Sequence, residues 1–251
     1  MCIVSYLPPG VPVDVDGLFN GGLHNPHGHG WAIVTGETVM VGKSLDLADA
    51  LDEFSEVRER YPDGAALFHS RWATHGSIGV ANVHPFLVGG SAATVVAHNG
   101  ILPKAAHPEA GDDRSDTRKF ADEILPRQFR RLDRRGVQHA LSQWCGLGNK
   151  LVILTVAQRY RRNAYIVNEA AGRWDYRTGI WHSNTDYAAY PSWCHGSESP
   201  AGASLFAEDY CALCGYGLID ANGYCDDCRS CQDCMEHVRN CLCWNRRYMA
   251  V

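Results

Sequence analysis

The stretch His69-Ser70-Arg71-Trp72-Ala73-Thr74-His75-Gly76 gathers two imidazoles, a guanidinium and an indole within eight residues, directly after the apolar run Ala65–His69 that reads as a β-strand. Three more short blocks follow in order: His84-Pro85-Phe86, His98-Asn99-Gly100-Ile101 and Ser115-Asp116-Thr117. Working back to the start of the chain, Cys2 follows the initiator Met, and its small side chain permits removal of Met1. An N-terminal Cys carries a thiol and a free α-amine on one residue. With an α-amino pKa near 8, that amine can take the thiol proton at neutral pH, directly or through one water. Taken alone, a Cys at position 2 is as readily a buried strand residue, so the assignment needs partners.

Together with Met1-Cys2 and the glycine-rich Asn25-Pro26-His27-Gly28-His29-Gly30, the four blocks strongly resemble the class II glutamine amidotransferases, which are N-terminal nucleophile hydrolases. The family pattern is close to H-T-R-W-A-T-H-G, then H-P, then H-N-G, then S-D-T. This chain departs from the first block only at Ser70, where the family has Thr. Four blocks in one order are far more specific than any one of them. The resemblance covers about residues 1–190. It implies an α+β fold, a four-layer α/β/β/α sandwich, and hydrolysis of L-glutamine to glutamate and ammonia through a thioester on Cys2.

The implied roles also make chemical sense. Amide hydrolysis needs a nucleophile, donors aimed at the developing oxyanion, and a proton for the leaving amine. Cys2 supplies the first and the last, and the resemblance gives the oxyanion hole to the Asn99 side chain and the Gly100 backbone N–H. Glutamine's α-carboxylate and α-ammonium call for opposite charges, which Arg71 and Asp116 carry. By resemblance Thr74 and His75 lie near the carboxylate and Trp72 near the ammonia exit. Other readings stay open: Asn99-Gly100 as a hairpin turn, Arg71 with Asp116 as a structural ion pair, and Asp116 as a helix cap. His24, His27 and His29 have a metal-like spacing but sit in a glycine-rich turn, and His84 and His98 read as structural hydrogen-bonders. A catalytically silent binding or adaptor protein and an N-terminal hydrolase of another amide are the rival functions. Arg71 and Asp116 argue against both, because neither needs an amino-acid clamp.

Strands are predicted at Cys2–Tyr6, Gly30–Thr35, Ala65–His69, Thr94–His98, Lys150–Val156, Asn163–Val167 and Trp174–Ser183, the last as a tryptophan-bearing hairpin. Helices are predicted at Ser44–Arg60, Ser115–Leu125, Gln128–Arg135 and Val137–Cys145, with Asp46 or Ser115 as caps. The run Arg127–Arg135 holds five arginines against Asp133 alone, and reads as a solvated helix face with a docking surface in reserve.

Of 11 cysteines, eight fall in the last 41 residues, and the GSESPAG run at 196–202 has linker composition. Two domains are therefore expected: residues 1–200 for the glutaminase, and 201–251 for a cysteine-rich module. Cys211 with Cys214 and Cys225 with Cys228, ten residues apart, resemble the knuckles of a short zinc ribbon. Cys231, Cys234, Cys241 and Cys243 make a second set of four, giving two zinc ions, with an iron–sulfur cluster as the runner-up. A net charge of −5 over 251 residues, and −3 over residues 201–251, argues against nucleic acid as a partner. No apolar run approaches bilayer length and no Lys or Arg precedes Lys43, so the reading is a cytoplasmic protein without membrane contact. No synthetase that would consume the ammonia is visible, so the expected partner is a separately encoded ammonia-accepting synthetase or nucleotide-modifying enzyme.

Overall fold

The computed structural model describes residues 2–74, 76–188, 224, 225, 229 and 231. The chain divides into two compact units, Met1–Ala189 and Tyr190–Val251. In the first, strands β1 (Ile3–Leu7), β2 (His29–Val34), β3 (Val39–Ser44) and β4 (Ala66–Ser70) join the hairpin β9 (Arg173–Asp175) and β10 (Ile180–His182). They form a six-stranded sheet in the order β3-β2-β4-β1-β10-β9, and every pairing in it is antiparallel. Strands β5 (Phe86–Val88), β6 (Ser91–Asn99), β7 (Lys150–Thr155) and β8 (Ala164–Val167) form a second antiparallel sheet in that order.

Side chains alternate between the two faces of a strand, so a strand buried on both faces feeds two cores. Along β7, Val152 and Leu154 pack between the sheets with Val95 and Ala97 of β6 and with Val4, Ala32, Leu67 and Trp181 of the larger sheet. Leu151 and Ile153, the alternate residues, point to the outer face, where helical segments cover them. On the larger sheet Trp31, Ile33 and Phe68 face outward onto α1 (Val15–His24) and α2 (Leu47–Arg60), which contribute Leu18, Ala50, Leu51, Phe54 and Val57. The layers are therefore helix, sheet, sheet, helix.

Several local elements differ from expectation. Helix α1 carries three glycines, poor helix formers, and was not predicted. Packing explains it: a Cβ on Gly22 would meet Leu47, and one on Gly21 would meet Ile3. Strands β3 and β5 were also not predicted. Asp46 caps α2 as expected, accepting from the Asp49 N–H at 3.0 Å. The helical run after Ser115 comes in three pieces: α3 (Asp116–Lys119), a π-turn at Phe120–Ile124, and α4 (Leu125–Gln128) with Pro126 in its first turn, where no N–H is needed. The predicted helix at Gln128–Arg135 does not form. Residues 129–134 are a turn pinned by buried Phe129 and Leu132, and α5 (Arg135–Cys145) begins only after it. In the second unit Tyr224 bridges Cys231 in antiparallel fashion, and the Arg229 N–H donates to the Cys225 carbonyl at 3.0 Å. No described helix is long and apolar enough to cross a membrane.

Five imidazoles are buried in this frame: His29, His69, His84, His98 and His182. Desolvation pushes His29 down to about 4 and His69 and His182 to about 3, and holds His84 and His98 below the ordinary range. Unfolded histidine titrates near 6.5, so between that value and the lowered ones the unfolded chain binds more protons. Stability is therefore complete above pH 6.5 and falls as pH drops toward 4, by up to about 1.4 kcal/mol per pH unit for each such histidine. Urea midpoints measured at pH 7.5, 6 and 5 should decline steeply below 6.5. A flat profile would show that these imidazoles are not buried neutral.

Candidate active site

Antiparallel pairing brings together residues that lie far apart in sequence. In the register of β1 with β4, Ile3 faces Ser70, so Cys2 and Arg71 lie just beyond adjacent strand ends. The Cys2 thiol is half-buried against the backbone of Trp72: Trp72 N–H donates to Sγ at 3.3 Å, and Sγ–H donates to the Trp72 carbonyl at 3.4 Å. Burial raises the thiol pKa, while the Trp72 hydrogen bond and the Arg71 charge lower it; burial wins. The thiol at rest is thus protonated and needs a base. Desolvation likewise pushes the buried Cys145 up to about 11, so it too is a protonated thiol at neutral pH.

Arg71 is buried, and its guanidinium donates to the Ser77 carbonyl at 2.9 Å. The charges of Cys2 and Asp116 both act on it. Asp116, also buried, accepts from Leu102 N–H at 2.9 Å and Thr117 N–H at 2.7 Å at the start of α3. Ser115, not Asp116, caps that helix, accepting from Arg118 N–H at 3.2 Å. Trp72 is 44% exposed, its ring against His27 with 4.9 Å between centroids, and Thr74 is exposed. His75 lies outside the described residues, as do Cys211, Cys214, Cys228, Cys234, Cys241 and Cys243.

Asn99 ends β6, fully buried, and Gly100 follows at φ +138°. No hairpin turn forms here: the next strand partner of β6 is β7, reached through the segment that carries α3 to α5, and Asn99 pairs with Lys150. A side chain at Gly100 is excluded twice over, because its Cβ would collide with Asn149 Oδ1 and the backbone occupies a region L-residues avoid. The Asn99 amide Nδ2 donates to Ser183 Oγ at 2.9 Å, while its buried Oδ1 has no partner. The same Ser183 oxygen accepts the Val4 N–H at 2.9 Å, and Ser183 N–H donates back to the Val4 carbonyl. A half-turn of the Asn99 amide exchanges its oxygen and nitrogen. Oδ1 then accepts the Ser183 O–H, and Nδ2 takes the unpartnered direction.

Sequence reasoning missed the residues that hold this arrangement. Ser183 ties the two sheets together through Val4 and Asn99. Asn184 donates to the Cys2 carbonyl at 3.1 Å, and His27 accepts Ala73 N–H at 2.9 Å. Asn149 accepts from His98 Nε2 at 2.8 Å behind Gly100, and Asn82 accepts Ser115 N–H at 2.9 Å. His27 stands in the glycine-rich block at 25–30; Ser183, Asn184, Asn149 and Asn82 stand in no motif block, and no pattern in the sequence marks them. His24, His27 and His29 point apart, toward Asn20, Ala73 and Ser70, and no cluster of three or more metal-binding side chains occurs among the described residues. His98 is a structural hydrogen-bonder as expected, held by Thr117 and Asn149. His84 is not: it stacks on His69 with 4.0 Å between centroids, and neither of its ring nitrogens has a partner.

No family model matches the chain. It is 39% identical over 92 residues to a glutamine–fructose-6-phosphate aminotransferase (isomerizing) of Chlamydia caviae, a match spanning 37% of this chain and 15% of that protein. It is 40% identical over 78 residues to the protein of the same name in Vibrio parahaemolyticus, spanning 29% and 12%. The chain thus matches less than a fifth of the length of either relative. A solved structure, the glutamine phosphoribosylpyrophosphate amidotransferase of B. subtilis with ADP and GMP, aligns over 74% of this chain and 42% of that one at 16% identity, with a TM-score of 0.46.

The crowding at Gly100 gives a direct test. Gly100→Ala should cost about 1–3 kcal/mol of stability in denaturant titrations, from strain at a positive φ together with the contact on Asn149. Gly148→Ala, where nothing lies within 4 Å, should cost far less. Equal losses would mean that Asn149 yields freely.

Proposed function

We propose that this chain is a class II glutamine amidotransferase of the N-terminal nucleophile type, hydrolysing L-glutamine and handing the ammonia to a separate acceptor enzyme. The observation that carries the reading is that the charges of Arg71 and Asp116, from two separate sequence blocks, both act on the half-buried thiol of Cys2 at the N-terminus, whose sulfur meets the Trp72 backbone. The relatives, named for glutamine-dependent amino transfer, support it. In the proposed reaction Met1 is removed and the α-amine of Cys2 takes the thiol proton. The sulfur attacks the glutamine δ-carbon, the carbonyl oxygen becomes an oxyanion, and the protonated α-amine returns its proton to the departing ammonia. Water then attacks the thioester, with the same amine as base, releasing glutamate and the thiol.

Arg71 holds the α-carboxylate and Asp116 the α-ammonium, with Trp72, Thr74 and His75 around them. The oxyanion receives Asn99 Nδ2–H and Gly100 N–H. Asn99 can donate there only in the turned orientation, and Ser183 makes that orientation favourable by giving Oδ1 a donor. Ser183 is thus a positioning residue for the oxyanion hole. The four cysteines Cys211, Cys214, Cys225 and Cys228, and the second set Cys231, Cys234, Cys241 and Cys243, would hold two zinc ions as thiolates, supplying a folding core and no catalysis. Burial of Cys225 and Cys231 in a short stretch supports that reading.

Ammonia release from glutamine should be abolished in Cys2→Ala, and intact mass should lack Met1. Full activity with Met1 retained would defeat the α-amine mechanism. Arg71→Ala and Asp116→Ala should chiefly raise KM, each removing a charge-assisted contact of about 1.5–3 kcal/mol. Asn99→Ala should lower kcat roughly 100-fold. Ser183→Ala should lower kcat with KM kept, and Ser183→Thr should restore it. A KM effect alone at Asn99 would overturn the assigned roles.

Metal analysis of the purified full chain should find two zinc ions per protein and no visible colour. A brown protein would instead identify an iron–sulfur cluster.

A further inference from the structure

The arginine run that sequence reading placed on one helix face is instead folded around a corner. The turn at 129–134 is fastened to the β7–β8 connection by the Tyr160 hydroxyl, which donates to the Arg130 carbonyl at 2.9 Å. This brings Arg135 at the start of α5 beside Arg161 and Arg162 of that connection. The three arginines, with Asp133, Gln138 and Tyr165, line a cavity of about 280 Å³. Asp133 is already matched, its carboxylate taking two hydrogen bonds from Arg131 at 3.0 Å each. The guanidinium groups of Arg135, Arg161 and Arg162 have neither an ion pair nor a hydrogen bond among the described residues. Three guanidinium groups share a recess with no counter-charge left to meet them.

Two independent features point the same way. Helix α5, eleven residues long, starts without any side-chain cap and has no acidic residue in its first turn; Val137 N–H turns back to the Arg134 carbonyl, which leaves the N–H groups of Arg135 and Gly136 without a side-chain acceptor. Tyr165 is 6% exposed and lines the recess, and its buried hydroxyl has no partner. A buried hydroxyl without a partner is costly unless something completes it.

We propose that this recess is a binding site for a phosphoryl group borne by a small molecule. A phosphate dianion offers three terminal oxygens and nearly two negative charges, which match three guanidinium forks and a helix N-terminus better than the single charge of a carboxylate. The size supports a small bearer: the volume lies just under the range of about 300–1,000 Å³ that holds drug-sized ligands, enough for the phosphoryl group and a short part of its carrier. The recess opens beyond the end of β7 opposite Lys150, the partner of Asn99, so it is distinct from the Cys2 site and does not depend on the glutaminase reading.

The test is calorimetric titration of the full chain with inorganic phosphate, with chloride holding ionic strength constant. Saturable 1:1 binding is expected. The double variant Arg161→Gln/Arg162→Gln should weaken it at least about tenfold, as expected for loss of charge-assisted contacts. Tyr165→Phe, which keeps the ring and its packing, should weaken it severalfold, and Arg127→Gln should leave it unchanged. Absence of saturable binding would overturn the site. So would equal weakening by Arg127→Gln, which would reveal only a diffuse basic surface. Tighter binding of a DNA duplex than of phosphate, lost steeply with salt and sensitive to Arg127, would assign the face to nucleic acid instead.

Discussion

The position of β1 in the middle of its sheet governs the rest of the site. Its backbone is paired with β4 on one side and β10 on the other, in registers that set Ile3 against Ser70 and Ser5 against His182. A terminal strand on a sheet edge could fray, but one held on both edges places the residue before it as firmly as a residue in mid-chain. Cys2 is therefore delivered to the end of β4, where the peptide of Trp72 meets its sulfur. On the other side the segment after β10 delivers Ser183, whose hydroxyl takes the Val4 N–H and meets the Asn99 amide from the opposite sheet. One serine thus locks the distance between nucleophile and candidate oxyanion donor.

Desolvation sets the protonation states around that lock. The buried imidazoles are kept neutral, and the thiol is kept protonated despite the nearby Arg71 charge. No described side chain hydrogen-bonds the Cys2 sulfur; the contacts come from the Trp72 backbone. On the proposed mechanism, the amine on the same residue fills the place of an external base, which is why the first residue of the mature chain matters more than any histidine in the motif blocks.

Helix α5 connects two ends of the domain. Its C-terminal Cys145 carbonyl accepts from Asn149, which backs Gly100 and His98, while its first residue borders the arginine-lined recess about 16 Å away. The second core, between α5 and the smaller sheet, is packed by Phe120, Leu141, Leu151 and Ile153, so the helix is a rigid spacer between the two.

Much of the candidate site was legible because it is written in contiguous blocks. Arg71, Asn99 with Gly100, and Asp116 stand in short motifs, and apolar or β-branched runs marked β1, β2, β4, β7 and β8 at nearly their observed bounds and the second half of β6. The glycine-laden α1 was illegible, since its glycines serve contacts with Leu47 and Ile3 that exist only in the folded chain. So was the break between α4 and α5, because arginine spacing alone cannot tell a continuous helix from a turn pinned by Phe129 and Leu132. Ser183, Asn149 and Asn82 acquire meaning through partners 84, 51 and 33 residues away. The sequence by itself determined which groups are candidates for chemistry, because side-chain identity is local. Only the tertiary structure decided how they are held, because hydrogen bonds between strands and across sheets depend on register, which no stretch of sequence contains alone.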